Sequence, residues 1–177
     1  MLANIDQLLE NAIFKSRNLS HELSPPALLR YELADALKWL AHQMQEQFGL
    51  EIELSLAMDR HIENASLKRF LFRAVKELLF NIFKHAGEKS ARVHLYGNED
   101  MLTIDVIDSG RGFDPEALNR ITAQRGFGLM TIRERASFMG GSLLISSAPG
   151  QGSRFTLTVP LDVAVDDEPL QWASVRE

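Results

Sequence analysis

The sequence contains no cysteine, so it has no disulfide framework, no thiolate nucleophile and no cysteine-based metal site. It also lacks a long apolar run. Its apolar stretches are short and broken by charges, below the roughly 20 residues that cross a bilayer as a helix. The opening string MLANIDQLLENAIFKSRNL does not follow the basic-then-apolar order of a secretory signal. Excess positive charge is missing as well: 19 basic against 24 acidic residues leave a net charge of -5. That balance disfavours a broad nucleic-acid surface, because phosphate backbones are held by clustered Lys and Arg. No internal repeat is visible. The expectation is a soluble, cytoplasmic chain with no nucleic-acid partner and no direct membrane contact, in which any anionic ligand must be met locally.

What is present is enough apolar material, 45% of 177 residues, to build one packed domain with an appendage. From Asn4 to Leu23, Ile5, Leu8, Leu9, Ala12, Ile13, Leu19 and Leu23 recur at helical intervals, and Pro25-Pro26 ends the pattern. One face of that segment wants a partner helix. A second helix is expected over Leu33, Ala36, Leu37, Leu40 and Met44, stopping near Gly49, followed by a half-buried strand at Glu51–Leu56. A third helical stripe runs from about Asn64 to Ala86 through Phe70, Leu71, Ala74, Val75, Leu78, Leu79 and Ile82. Then come two alternating runs around Val93 and Leu102–Val106, joined by Gly97-Asn98-Glu99-Asp100, a hairpin signal. Leu129, Ile132, Ala136 and Met139 mark a further helix, ended by Gly140-Gly141. The last hairpin pairs Ser142–Ser147 with Ser153–Pro160 about the turn Ala148–Gly152. Beyond it the tail is acidic and aperiodic, expected to be loose or lightly docked.

Four groups carry candidate chemistry. Glu77, Asn81, Lys84 and His85 in ELLFNIFKHA stand three and four residues apart, so they share one helix face. A carboxylate, an amide oxygen, an ammonium and an imidazole suit a magnesium-bound triphosphate, since Mg²⁺ takes oxygen ligands alongside substrate phosphates. Such a string alone is also an ordinary solvated helix face. Asp108-Ser109-Gly110-Arg111-Gly112 follows a strand; its glycines let backbone approach a flat ligand, and its carboxylate can accept from an exocyclic amine. An isolated string of that kind is a common turn. Gly126-Phe127-Gly128-Leu129 opens a helix, where free N–H groups and the helix dipole favour phosphate, though a hinge and cap would look alike. Gly150-Gln151-Gly152-Ser153, alone, is a hairpin turn.

In this order the four groups resemble the N box and the three glycine boxes of the histidine-kinase ATPase domain, over roughly Leu28 to Pro160. The wider superfamily holds gyrase, the large heat-shock chaperones and the MutL repair proteins. The resemblance implies an α/β two-layer sandwich of the Bergerat type: a mixed, largely antiparallel sheet covered on one face by helices, here with an N-terminal helical arm. LSPPALLRYELADALKWLA and GFGLMTIRERA look like the nitrate-sensor branch, whose ATP lid is short; here 13 residues, Phe113 to Arg125, separate the first two glycine boxes. It implies ATP and Mg²⁺ as cofactors, with catalytic roles for Glu77, which orients or activates, and for Lys84 and His85, which approach phosphate. Asn81 would ligate Mg²⁺ and Asp108 would recognise adenine. Gly110, Gly112, Gly126, Gly128 and Leu129 would shape pocket and lid, and Ser153 stands where many relatives place a Thr near adenine.

The implied organisation is a remnant of a dimerisation helix with its Pro-Pro linker over residues 1–26, the ATPase domain over 27–162, and the acidic tail over 163–177. The implied partners are the chain's own dimerisation domain and a response regulator, within a homodimeric parent protein. The acceptor histidine of the nitrate-sensor branch is followed closely by Asp, and no His-Asp motif occurs in this sequence. His21 in SHELSPPAL mimics the acceptor box of the commoner branch, but the 59 residues between it and Asn81 leave no room for a second long dimerisation helix. His21 is therefore expected to be a surface or interhelical histidine, and His42, His61 and His94 show no metal-ligand spacing. A nucleotide-binding module without transfer, or an anti-sigma-factor-like serine kinase, are the alternatives.

Overall fold

Helix α1, Leu33–Phe48, forms where Leu33, Ala36, Leu37, Leu40 and Met44 line one buried face. It stops at Gly49, whose left-handed φ of 64° lets its N–H bond the Gln45 carbonyl at 2.9 Å. The computed structural model in which this is seen describes residues 32–58, 61–115 and 127–162. The N-terminal arm with His21, lid residues 116–125, Gly126 and the tail from residue 163 lie outside them. Strand β1, Glu51–Ala57, alternates exposed and half-buried positions. Helix α2, Ala65–His85, is capped by Asn64, whose side chain accepts from the Leu67 N–H at 3.0 Å.

Strands β2, Ser90–Gly97, and β3, Met101–Asp108, form the expected hairpin. In its turn the Asn98 side-chain oxygen accepts from the N–H groups of Asp100 and Met101, at 3.0 and 2.8 Å. Helix α3, Phe127–Phe138, then leads into the second hairpin of β4, Ser142–Ser147, and β5, Ser153–Pro160.

The five strands lie in the order β1-β2-β3-β5-β4. Only β1 and β2 pair in parallel, and α2 supplies the crossover that a parallel pair needs. Register aligns Val93 with Val106, Leu95 with Ile104, Ile104 with Leu157 and Val106 with Phe155, so one sheet face is continuous and apolar. That face joins α1, α2 and α3 in a single buried cluster. The opposite face is polar but holds one buried carboxylate. Asp105, 4% exposed, accepts from Thr156 Oγ1 at 2.5 Å and the Tyr96 hydroxyl at 3.3 Å, with Arg154 at 3.4 Å. Partial burial, then the Asp105 charge, push the Tyr96 hydroxyl pKa up.

Candidate active site

The last two turns of α2 sort their side chains by face. Leu78, Leu79 and Ile82 are buried against the sheet, whereas Glu77 and Asn81 are half-buried and Lys84 and His85 exposed, as their shared spacing requires. Desolvation lowers the Lys84 pKa, and the negative charge of Glu77 pulls it partly back up. Lys84 and His85 also lie in the final turn, where positive charge complements the helix dipole.

Glycines bring the other groups to this helix end. At Gly128, in the first turn of α3, a Cβ would stand 2.1 Å from Glu77 Oε1, so the absence of a side chain seats this turn against the α2 carboxylate. At Gly112, φ is 58° and a Cβ would meet the Ala148 carbonyl at 2.0 Å, so both conformation and space demand glycine. Gly110 packs on Ala86 at the end of α2, and the Ala86 carbonyl accepts from the Arg111 N–H at 2.8 Å. The Arg111 carbonyl in turn accepts from the Gly150 N–H at 2.6 Å. Gly152 lies on the backbone of Asp108 and Ser109. The Gly128 turn thereby meets α2 at Glu77, and the Asp-x-Gly-x-Gly string, bound to the last hairpin, meets it at Ala86; of the candidate site residues only Gly126 falls outside the described residues.

Asp108 ends β3 buried, at 5% exposure, and its Oδ1 accepts from the Gly110 N–H at 2.8 Å, which fixes the carboxylate at the start of the loop. Ser153 sits opposite it in register and is likewise buried. Sequence reasoning missed two residues here. The Ser147 hydroxyl accepts from the Phe113 N–H at 2.9 Å, donates to the Gly152 carbonyl at 2.8 Å and lies 3.2 Å from the Ser153 hydroxyl. Phe113 stacks on Phe155 with centroids 6.3 Å apart. Ser147 thus locks the first residue after the Asp-x-Gly-x-Gly string to the last hairpin, and the Ala86 carbonyl locks the string itself to α2. Neither is visible in the sequence, because a lone Ser at a strand end and an Ala at a helix end carry no spacing signal.

Among the described residues no group of three or more His, Asp or Glu could cage a metal ion. The Asn81 amide oxygen, one turn from the Glu77 carboxylate, is a hard oxygen donor of the kind that suits Mg²⁺, which completes its shell with substrate phosphates and water. Likewise among the described residues, no helix is long and apolar enough to cross a membrane.

The fold defines the class first: this is a Bergerat-type ATP-binding domain, a helix-covered mixed sheet. It superposes on the histidine kinase domain of a blue-light activated histidine kinase from Erythrobacter litoralis with a TM-score of 0.60 at 19% identity, over 73% of this chain and 61% of that one. Full-length ShkA, solved in complex with AMPPNP, gives 0.63 at 20% identity over 77% of this chain and 31% of that one. A sequence model of the histidine kinase-, DNA gyrase B- and HSP90-like ATPases matches residues 66–163, more than half of the chain, and the chain belongs to that family. It is 30% identical over 154 residues to the sensor histidine kinase MctS of Rhizobium johnstonii. That match takes in 87% of this chain but 33% of the relative, so the chain spans about a third of its length.

Proposed function

We propose that this domain binds Mg²⁺-ATP and passes the γ-phosphoryl group to a histidine on a dimerisation domain. The observation that carries the reading is the contact between Gly128 and Glu77: it sets the N-terminus of α3, a phosphate-binding device, beside the one carboxylate on the polar face of α2. In the transfer the bond from the β–γ bridging oxygen to the γ-phosphorus breaks, a bond from imidazole nitrogen to phosphorus forms, and ADP leaves. Glu77 takes up or orients the imidazole proton, and Lys84 and His85 balance phosphate charge. Asn81 would hold Mg²⁺, which would supply charge neutralisation at the phosphate oxygens. Asp108 receives the adenine amino group, Gly110, Gly112 and Ser153 shape the base pocket, and Gly126, Gly128 and Leu129 present backbone to the phosphates.

The nitrate-sensor branch, a cytoplasmic location, a response regulator as onward acceptor and a homodimeric parent complete the reading, with residues 27–162 as the catalytic domain between a helix remnant and an acidic tail. The short lid, the two strings that resemble that branch and the AMPPNP complex of ShkA support it. Calorimetry with ADP and ATP, paired with radiolabel transfer to an added dimerisation domain, tests it on Glu77→Gln. ADP affinity should stay close to that of the parent while transfer falls by about 10²-fold or more. Transfer at the parent rate would remove Glu77 from the mechanism.

A further inference from the structure

Away from the nucleotide-facing groups, the guanidinium of Arg135 on α3 lies 5.7 Å from the centroid of the Phe70 ring on α2. Arg69 precedes Phe70 and Arg73 follows it by one turn, so α2 sets two guanidiniums on the stretch that Arg135 faces, near enough for both to repel it; Arg69 also donates to the Ser66 hydroxyl at 2.8 Å. Burial, then repulsion from Arg73 and Arg69, lower the Arg135 pKa. An arginine does not escape such repulsion by losing its proton near neutral pH, so an incoming anion is what relieves it. Among the described residues neither Arg73 nor Arg135 forms an ion pair with a carboxylate.

The chain carries an anion close by. Helix α3 ends beside the end of β5: a Cβ on Gly140 would lie 3.7 Å from Pro160 Cγ. Arg135 is five residues back along α3, about 7.5 Å at the helical rise. From Asp162 the sequence continues to Asp166-Asp167-Glu168, and four to six residues of extended chain reach up to roughly 13–20 Å. The span is sufficient, and the charges are opposite.

We propose that Arg69, Arg73 and Arg135 form a docking site for the acidic run Asp166–Glu168 of the chain's own tail. Seated there, the tail ties β5 to the far end of the helix whose first turn abuts Glu77. The inference rests on charge and reach at the α2–α3 seam and stands whether or not the nucleotide reading does.

Amide hydrogen exchange at low ionic strength tests it on the full chain, on a chain ending at Asp162, and on D166N/D167N/E168Q. Exchange at Arg133–Phe138 should run roughly fivefold slower in the full chain than in the other two, and the difference should vanish in high salt. Arg73→Glu should abolish the protection, and adding D166K/D167K should restore it. Equal exchange in the full and shortened chains would overturn the proposal, as would protection that survives neutralising the three acids. A synthetic peptide of residues 163–172 should bind the shortened chain and not the full one. Equal binding to both would show the arginines open to acidic partners and the tail elsewhere.

Discussion

Single side chains at this site act through contacts that can be removed one at a time. Asp108→Asn keeps an oxygen for the Gly110 N–H but turns an amide donor toward the adenine amino group, itself a donor. The variant should fold normally and lose affinity for ATP and ADP equally, by about 1–3 kcal/mol, in calorimetry; unchanged ADP binding would remove Asp108 from adenine recognition. Lys84 supplies a pH signature. Its folded-state pKa is lowered, so between that value and the ordinary 10.5 the unfolded chain holds more protons than the folded one, and stability without nucleotide should rise with pH across this window. Phosphates favour the charged amine, so ATP affinity should fall across the same window. Lys84→Met should flatten both trends, seen by thermal melts and by titration, whereas a surviving affinity slope would place the titrating group elsewhere.

At the level of elements, the contact between α2 and the first turn of α3 separates fold from chemistry. The atom a new methyl at Gly128 would strike is the flexible end of Glu77, not backbone, and Ala is the better helix former. Gly128→Ala should therefore leave the melting temperature within a few degrees of the parent while displacing Glu77 and depressing phosphoryl transfer more than ADP binding. A large loss of stability would mean that Glu77 cannot yield.

Alternation and helical spacing made every described element legible in the sequence, down to the Gly49 stop and the 97–100 turn. Period alone, however, tells which face a strand buries and not which strand lies beside it, so the parallel β1–β2 pairing emerges only from the register. Spacing likewise placed Glu77, Asn81, Lys84 and His85 on one face. It could not show Gly128 lying on Glu77 or Ser147 bridging Phe113 to Gly152, because these are long-range contacts of backbone and of a lone hydroxyl. Asp105 hid for another reason: a strand carboxylate usually marks a wet face, and here Tyr96, Thr156 and Arg154 cover it.

For the whole molecule, the folding unit is larger than the segment that defines the family. The match starts at residue 66, after α1 and β1, yet α1 buries Leu33, Leu37, Leu40 and Met44 to 3% exposure or less in the same core as the sheet. At about 1.5–3 kcal/mol for each large apolar side chain taken from water, these four contribute roughly 6–12 kcal/mol, comparable with the ~5–15 kcal/mol net stability of a whole domain. Removing α1 also uncovers the α2 surface it covers, where Trp39 lies against Phe72 and Phe48 against Phe80 and Phe83. Every described member of that core lies between Leu33 and Leu161. A chain of residues 32–162 should thus melt cooperatively within a few degrees of the full chain in low-ligand buffer, whereas residues 66–163 should show no cooperative transition and should bind a hydrophobic dye. Circular dichroism melts with dye fluorescence on the two fragments decide the point: a cooperative transition in the shorter one would show that α1 is an accessory, and loss of one in the longer would show that the flanking segments complete the core.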